Sequence, residues 1–192
     1  MVITMNAPIE YLANFVPNPN DYFEDFKNNL DWVRHDNVPR SEYYINDFSV
    51  PYTYGSGRGV RTYYPQKTSP TFEMLRYMLE AFTKTTFDVC FMNRYYNQKD
   101  HLGWHADDSP EMDDDCPIAI ISFGVEREIW FRPQNDKNSI EKLLLGHGSL
   151  CIMKAGMQNT HYHRIPKAGF ECGERISLTF RGYKKMNGDQ NE

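Results

Sequence analysis

From Phe87 onward the chain is a succession of seven short β-type runs with no helical stretch between them. The runs are Phe87–Tyr96, Pro117–Phe123, Glu128–Phe131, Ile140–Leu145, Ser149–Lys154, His161–Ile165 and Arg175–Tyr183. Turn residues separate them, including Gly124, Pro133-Gln134-Asn135-Asp136 and Ala168-Gly169. Many short strands without crossover helices predict a sandwich or jelly roll.

The first 85 residues have another texture. Asp21 to Val33 predicts a helix capped by Asn20 or Asp21, with Phe23, Phe26, Leu30 and Val33 recurring at helical spacing. Pro70 to Lys84 predicts a second, with Ser69 as N-cap, Pro70 at the first helical position and Phe72, Leu75, Met78, Leu79 and Phe82 as its buried stripe. Residues 36–66 are rich in Pro, Gly and Tyr. They read as loops and short strands carrying an exposed aromatic surface of Tyr43, Tyr44, Tyr52, Tyr54, Tyr63 and Tyr64. The expected fold is mainly β with flanking helices, and 192 residues suit one domain.

A mean hydropathy of −0.68 and 24% charged residues fit a soluble globular protein. No apolar run approaches the roughly 20 residues that span a bilayer, and Met1 to Asn6 lacks signal-peptide character. Cys90, Cys116, Cys151 and Cys172 are scattered without a C-x-x-C pair, so reduced thiols and a cytoplasmic location are expected, or a nuclear one in a eukaryote. A net charge of −5 argues against a wholly basic nucleic-acid binder. Distribution softens that argument, because Pro51 to Lys84 holds five basic residues against two acidic ones. Acid collects instead in Asp107 to Asp115, where Glu111 to Asp115 would repel a phosphate backbone facing it.

His105 and Asp107 are two apart, so an extended backbone turns both side chains to one side. A later strand offers His161 and His163 on one face, and spacing alone does not choose between them. Two imidazoles and a carboxylate occupy one face of an octahedral metal and leave positions open, the arrangement of non-haem Fe(II) oxygenases. Zinc would call for a fourth His or Cys, or an H-E-x-x-H motif, and neither is present. Arg175, Ser177, Thr179 and Arg181 alternate with Ile176, Leu178 and Phe180. A solvent face opposite a core face would explain that pattern. Six residues also set the two arginine Cα atoms ~20 Å apart, so two inward-leaning guanidinium forks leave room for a five-carbon diacid. Asn93 and Tyr95 share a face of the first strand and add an amide and a phenol.

With these pieces in this order, the chain resembles the AlkB-type Fe(II)/2-oxoglutarate dioxygenases, most closely their nucleic-acid repair branch. The matching residues are Asn93-Arg94-Tyr95, His105-x-Asp107, Ser122-Phe123-Gly124, His147-Gly148-Ser149-Leu150, His161-Tyr162-His163 and Arg175-x-Ser177-Leu178-Thr179-Phe180-Arg181. Residues 36–66 match more loosely, through Val38-Pro39-Arg40 and Tyr52-Thr53-Tyr54. The resemblance implies a double-stranded β-helix (jelly roll) core over 86–185, an N-terminal nucleotide-recognition lid over 1–85, and a flexible tail at 186–192. It implies iron ligation by His105, Asp107 and His163, and 2-oxoglutarate binding by Asn93, Tyr95, Arg175 and Arg181, with Ser177 standing where some members carry Asn. It implies a flipped base stacked on Tyr54 with Tyr52, and strand contacts from Arg40 and Arg127. Ser109 stands where several members place a carboxylate that reads the base.

The implied reaction consumes Fe(II)-bound 2-oxoglutarate and O2 and demethylates N-alkylated bases of DNA or RNA. Its products are succinate, CO2 and formaldehyde. A monomer without membrane attachment is the expected state. A hydroxylase or demethylase of a protein or small molecule is the alternative; a non-catalytic jelly-roll binding module is the rival from another class.

Overall fold

The structure is a computed structural model that describes residues 5–49, 51–54 and 60–184, with Tyr54 described in its backbone alone. The expected tail at 186–192 lies outside the described residues. The described residues form twelve strands and two α-helices: β1 (Ile9–Leu12), α1 (Pro19–Asn29), β2 (Ser41–Asn46), β3 (Tyr52–Tyr54), β4 (Arg61–Tyr63), α2 (Pro70–Thr83), β5 (Val89–Tyr95), β6 (Leu102–His105), β7 (Ile118–Gly124), β8 (Arg127–Pro133), β9 (Glu141–Leu145), β10 (Ser149–Met153), β11 (His161–Ile165) and β12 (Arg175–Arg181). All seven runs expected after Phe87 are strands.

They form two antiparallel sheets, one of six strands in the order β1-β10-β7-β12-β5-β2 and one of four in the order β6-β11-β8-β9, beside a small β3-β4 hairpin. This is the mainly β, jelly-roll architecture that the alternation predicts. β1 and β2 enter the six-stranded sheet from the N-terminal segment, so strands from both sides of residue 85 build it.

Alternation sorts the side chains of the large sheet. Ile176, Leu178 and Phe180 of β12, with Cys90 and Met92 of β5, face Phe26 of α1 and Phe72, Leu75 and Leu79 of α2. The opposite face looks toward the small sheet, where Tyr95, Ile120, Cys151 and Met153 meet Ile129, Phe131, Leu143 and Leu145. The arginine-bearing face of β12 is therefore interior, and every residue of that strand is buried. The solvent-face explanation of its alternation falls. Gly124 closes the β7–β8 hairpin at φ +87, where an added Cβ would collide with the Glu174 carbonyl.

Three expectations need correction. α1 starts at Pro19, behind an uncapped Asn18 at φ 48, and ends at Asn29. The Trp32 indole N–H takes the Phe26 carbonyl at 2.9 Å, the chain turns extended at Leu30, and Val33 bridges to Glu42 instead of joining the helix. In α2 the cap and stripe stand as expected except at Phe82, which is half exposed and meets Phe15. The expected aromatic surface is largely an interior one. Tyr43, Tyr44, Tyr52 and Tyr63 are buried, because Tyr44, Tyr52 and Tyr63 pack with Phe91 into a ring cluster at the sheet edge, and Tyr64 alone of the described tyrosines of that set is exposed. The four cysteines are free thiols, and among the described residues no helix is long and apolar enough to cross a membrane.

Candidate active site

β6 and β11 lie side by side with His105 opposite His163. Asp107 follows two residues after β6 ends, its backbone N–H held by Gln158 Oε1 at 2.9 Å. One ligand atom from each of His105, Asp107 and His163 lies within 4.8 Å of the others. His105 Nε2 stands 3.6 Å from Asp107 Oδ1, and His163 Nε2 stands 3.7 Å from Asp107 Oδ2. His161 lies outside this group. It pairs across from Pro133, and its Nδ1 meets the Thr160 hydroxyl.

The protonation pattern suits a cation. His105 Nδ1 sits 2.9 Å from the Gly103 carbonyl, which can only accept, so the proton is on Nδ1 and Nε2 offers its lone pair. Burial depresses both imidazoles, His163 to about 3, which keeps them neutral. Burial also pushes the Asp107 carboxyl up, but Arg181, His163 and His105 outweigh it and hold the group at about 2. Asp107 Oδ2 is buried without a hydrogen-bond donor. Two neutral lone pairs and one anionic oxygen thus converge, the donor set of a hard-to-borderline divalent metal such as ferrous iron.

Beside the triad, β12 and β5 pair so that Arg175 lies opposite Tyr95 and Ser177 opposite Asn93. Arg175 is buried, its Nη2 donates to Ser122 Oγ at 2.9 Å, and its guanidinium stands 5.3 Å from the Tyr95 ring. Burial lowers its pKa to about 10, with the nearby Tyr95 phenol opposing the shift, so the charge persists at neutral pH. Nε and Nη1 find no hydrogen-bond acceptor on the described residues. A buried guanidinium without a carboxylate is costly unless an anion completes it. At the other end of the strand, Arg181 Nη2 reaches Asp107 Oδ1 at 2.6 Å. The chain thus presents two buried cations, one against the triad and one a strand's length away, which suits a dicarboxylate.

A pocket opens in front of the triad, walled by Arg40, Glu42, Tyr52, Tyr63, Asn93 and Arg181. The Tyr52 hydroxyl bonds to the Ser109 hydroxyl, which brings both expected substrate residues to its rim. The Tyr54 side chain lies outside the described residues. The two arginines expected to touch a strand are both buried. Arg40 is locked to Asn93 Oδ1 and Glu42 Oε1, each at 2.7 Å, and forms wall rather than surface. Arg127 donates to the carbonyls of Asn97, Asp100 and Pro166, out of a strand's reach, because the first residue of β8 faces inward.

Sequence reasoning missed Glu42, Gln158 and Ser122. Glu42 is 1% exposed, and its Oε2 accepts no well-formed hydrogen bond. The Tyr63 hydroxyl is near enough that burial and then this charge push the phenol up to about 12. The usable signal was a carboxylate inside the β-type run Ser41–Asn46, two residues from an arginine and so on its face.

Fold and site together define a double-stranded β-helix protein built around one candidate metal centre. Residues 32–181 match the 2OG-Fe(II) oxygenase superfamily, and the chain belongs to it. Among its relatives, the chain is 32% identical over 151 residues to DNA oxidative demethylase ALKBH2 of Homo sapiens, covering 75% of this chain and 56% of that protein. It is 37% identical over 121 residues to alpha-ketoglutarate-dependent dioxygenase alkB homolog 3 of Homo sapiens, covering 58% and 42%. The chain thus spans about half the length of these curated relatives. The solved structure of OsALKBH1 superposes with a TM-score of 0.69 at 15% identity, over 95% of this chain and all of that one, which establishes the shared fold. Membership of the superfamily implies Fe(II), 2-oxoglutarate and O2 as cofactor and co-substrates.

Proposed function

We propose that this chain catalyses Fe(II)/2-oxoglutarate-dependent oxidative demethylation of N-alkylated bases in DNA or RNA. The observation that carries the reading is the His105-Asp107-His163 cluster, with ligand atoms within 4.8 Å, set beside the buried guanidinium of Arg175. The named activity of the ALKBH2 relative supports the substrate class.

In this reading His105 Nε2, Asp107 and His163 Nε2 hold the iron. Bound iron and 2-oxoglutarate supply, with O2, oxidation of a substrate C–H bond coupled to loss of CO2 and formation of succinate. Arg175 anchors the far carboxylate of the co-substrate, with the Tyr95 phenol and Ser122 orienting the guanidinium and Ser177 lining the strand between the arginines. Arg181 holds Asp107 ionised and in place. Asn93 bridges the two halves of the site, since Arg40 donates to its amide oxygen.

The pocket in front receives the base. Tyr52, fixed by Ser109, offers a ring edge, and Tyr54 is assigned the stacking role. The carboxylate that reads the base is Glu42 in place of the missing one at Ser109. Its second oxygen, beside the Tyr63 hydroxyl, accepts an N–H from the base edge and favours bases that carry positive charge after alkylation. An N-methyl carbon oxidised there leaves as formaldehyde. The segment before residue 86 serves as the recognition lid, and the protein acts as a monomer in the cytoplasm or nucleus.

The test is release of formaldehyde and succinate from a panel of methylated DNA and RNA oligonucleotides, with methylated peptides and free metabolites as rivals. Turnover confined to the rivals would assign the site to another substrate. Absence of iron-dependent succinate formation with every substrate would reject the reaction.

A further inference from the structure

The outer face of the four-stranded sheet carries a row of cations and indoles that the site above does not use. His105, His163 and Phe131 turn inward, so their neighbours Trp104, Tyr162, Arg164, Trp130 and Arg132 face the other way. The Arg132 guanidinium lies 4.4 Å from the Trp104 ring centre, and that of Arg164 lies 4.7 Å from the same ring. Arg164 is also 4.1 Å from the Trp130 ring, and Lys142 Nζ is 4.2 Å from it on the next strand. Helices cover the outer face of the large sheet. None of these five outward residues joins a core cluster, and Leu144 beside Lys142 is half exposed.

Two readings compete. Stacked cations and rings stabilise a sheet face whatever they bind, at about 0.5–1 kcal/mol each where exposed. That accounts for the contacts but not for the charge. Among the described residues, Arg132, Arg164 and Lys142 have no carboxylate within salt-bridge distance. Glu128 is the one carboxylate among the strand residues of this face, and it accepts the Trp130 indole N–H at 2.7 Å. Arg132 Nε and Arg164 Nε are buried without an acceptor among the described residues, so any outward contact falls to the terminal nitrogens. Three cations against one carboxylate are thus concentrated on one face of a chain whose net charge is −5.

Stacking on indole fixes the plane of each guanidinium and leaves its two terminal Nη groups to meet phosphate oxygens in parallel pairs. Cations already cover the indole faces, so recognition would come from charge and hydrogen bonding to phosphates instead of stacking on bases. A row of three cations across β11, β8 and β9 suits a polymer of regularly spaced anions better than one phosphate.

We propose that this face binds the phosphodiester backbone of a nucleic acid, independently of sequence and on the opposite side of the sheet from the metal centre. The assignment rests on the proposed nucleic-acid substrate and adds a second contact surface for it. Trp104 and Trp130 are two of the three tryptophans in the chain, so the face reports on itself.

The experiment titrates the full chain with an unmodified single-stranded oligonucleotide, following tryptophan emission, its protection from iodide quenching, and the salt dependence of affinity. Saturable protection is expected. The double variant Arg132→Gln/Arg164→Gln should lower the slope of log affinity against log salt by about 1.4, from ~0.7 for each lost phosphate contact on a single strand. Turnover of a methylated nucleotide too short to reach the face should stay unchanged. An unprotected wild-type protein would overturn the proposal without recourse to any variant, as would an unchanged slope in a folded double variant. Protection by heparin with none by the oligonucleotide would also overturn it. Absence of demethylation alongside the expected slope change would instead reject the proposed reaction and leave this surface standing.

Discussion

Asp107 is where the two imidazoles and Arg181 converge. One oxygen accepts from Arg181 at 2.6 Å, the other has no donor, and both imidazoles face the carboxylate at 3.6 and 3.7 Å. Asp107→Ala should therefore remove succinate formation and divalent-metal binding while far-UV circular dichroism stays native; retained turnover would exclude Asp107 as a ligand. Glu42 gives a test of selectivity rather than of chemistry. Glu42→Gln keeps an acceptor for Arg40 but removes the negative charge facing the pocket. A hydrogen bond to a charged group contributes roughly 1.5–3 kcal/mol, so KM for a base cationic when methylated should rise about tenfold or more, with kcat little changed. Equal effects on neutral and cationic bases would mean that Glu42 supports the wall and reads nothing.

At the scale of elements, β12 organises the site because it sits between β7 and β5 and is buried along its whole length. Its inner side chains hold the cations, and its outer ones are gripped by the helices, with Phe180 stacked on Phe72 at 5.6 Å and next to Phe87. Phe180→Ala should cost about 3–5 kcal/mol in denaturant unfolding, and should raise the 2-oxoglutarate requirement by loosening the neighbouring Arg181. A stability loss without that second change would show that the strand is held by its ladder alone. The period-2 alternation of β12 was readable in the sequence, as were the seven strands after Phe87 and His105-x-Asp107, while spacing left His161 and His163 level and only the resemblance favoured His163. β6 was not, because His101-Leu102-Gly103-Trp104-His105 has no apolar run; pairing with β11 makes it a strand. The tyrosines of residues 36–66 misled for a related reason. Turn residues around a ring say nothing about what it packs on, and only the fold brings Tyr44, Tyr52 and Tyr63 onto Phe91. Arg127 failed as a surface residue because its inward position depends on where β8 begins.

Taken whole, the molecule encloses the ionisable residues of its site between the sheets, and this couples stability to pH and to metal. In the folded chain burial holds His163 near 3 and depresses His105, whereas unfolded imidazoles titrate near 6.5. Below about pH 6.5 the unfolded chain takes up protons that the folded chain refuses, so stability must fall as pH falls, by up to ~1.4 kcal/mol per pH unit for each such proton. Asp107, at about 2 folded against 3.8 unfolded, adds a loss of the same sign at still lower pH. A divalent cation that binds only the folded chain opposes this by mass action, but it needs the same imidazoles unprotonated. Added manganese should therefore raise the melting temperature most near neutral pH, and less as acid destabilises the folded chain that binds it. His161→Ala should keep the manganese shift and His163→Ala should lose it, because His163 alone of the two stands in the cluster. If the shift survived in His163→Ala, the metal would be binding elsewhere, and the histidines between the sheets would be packing residues that acid alone can disturb.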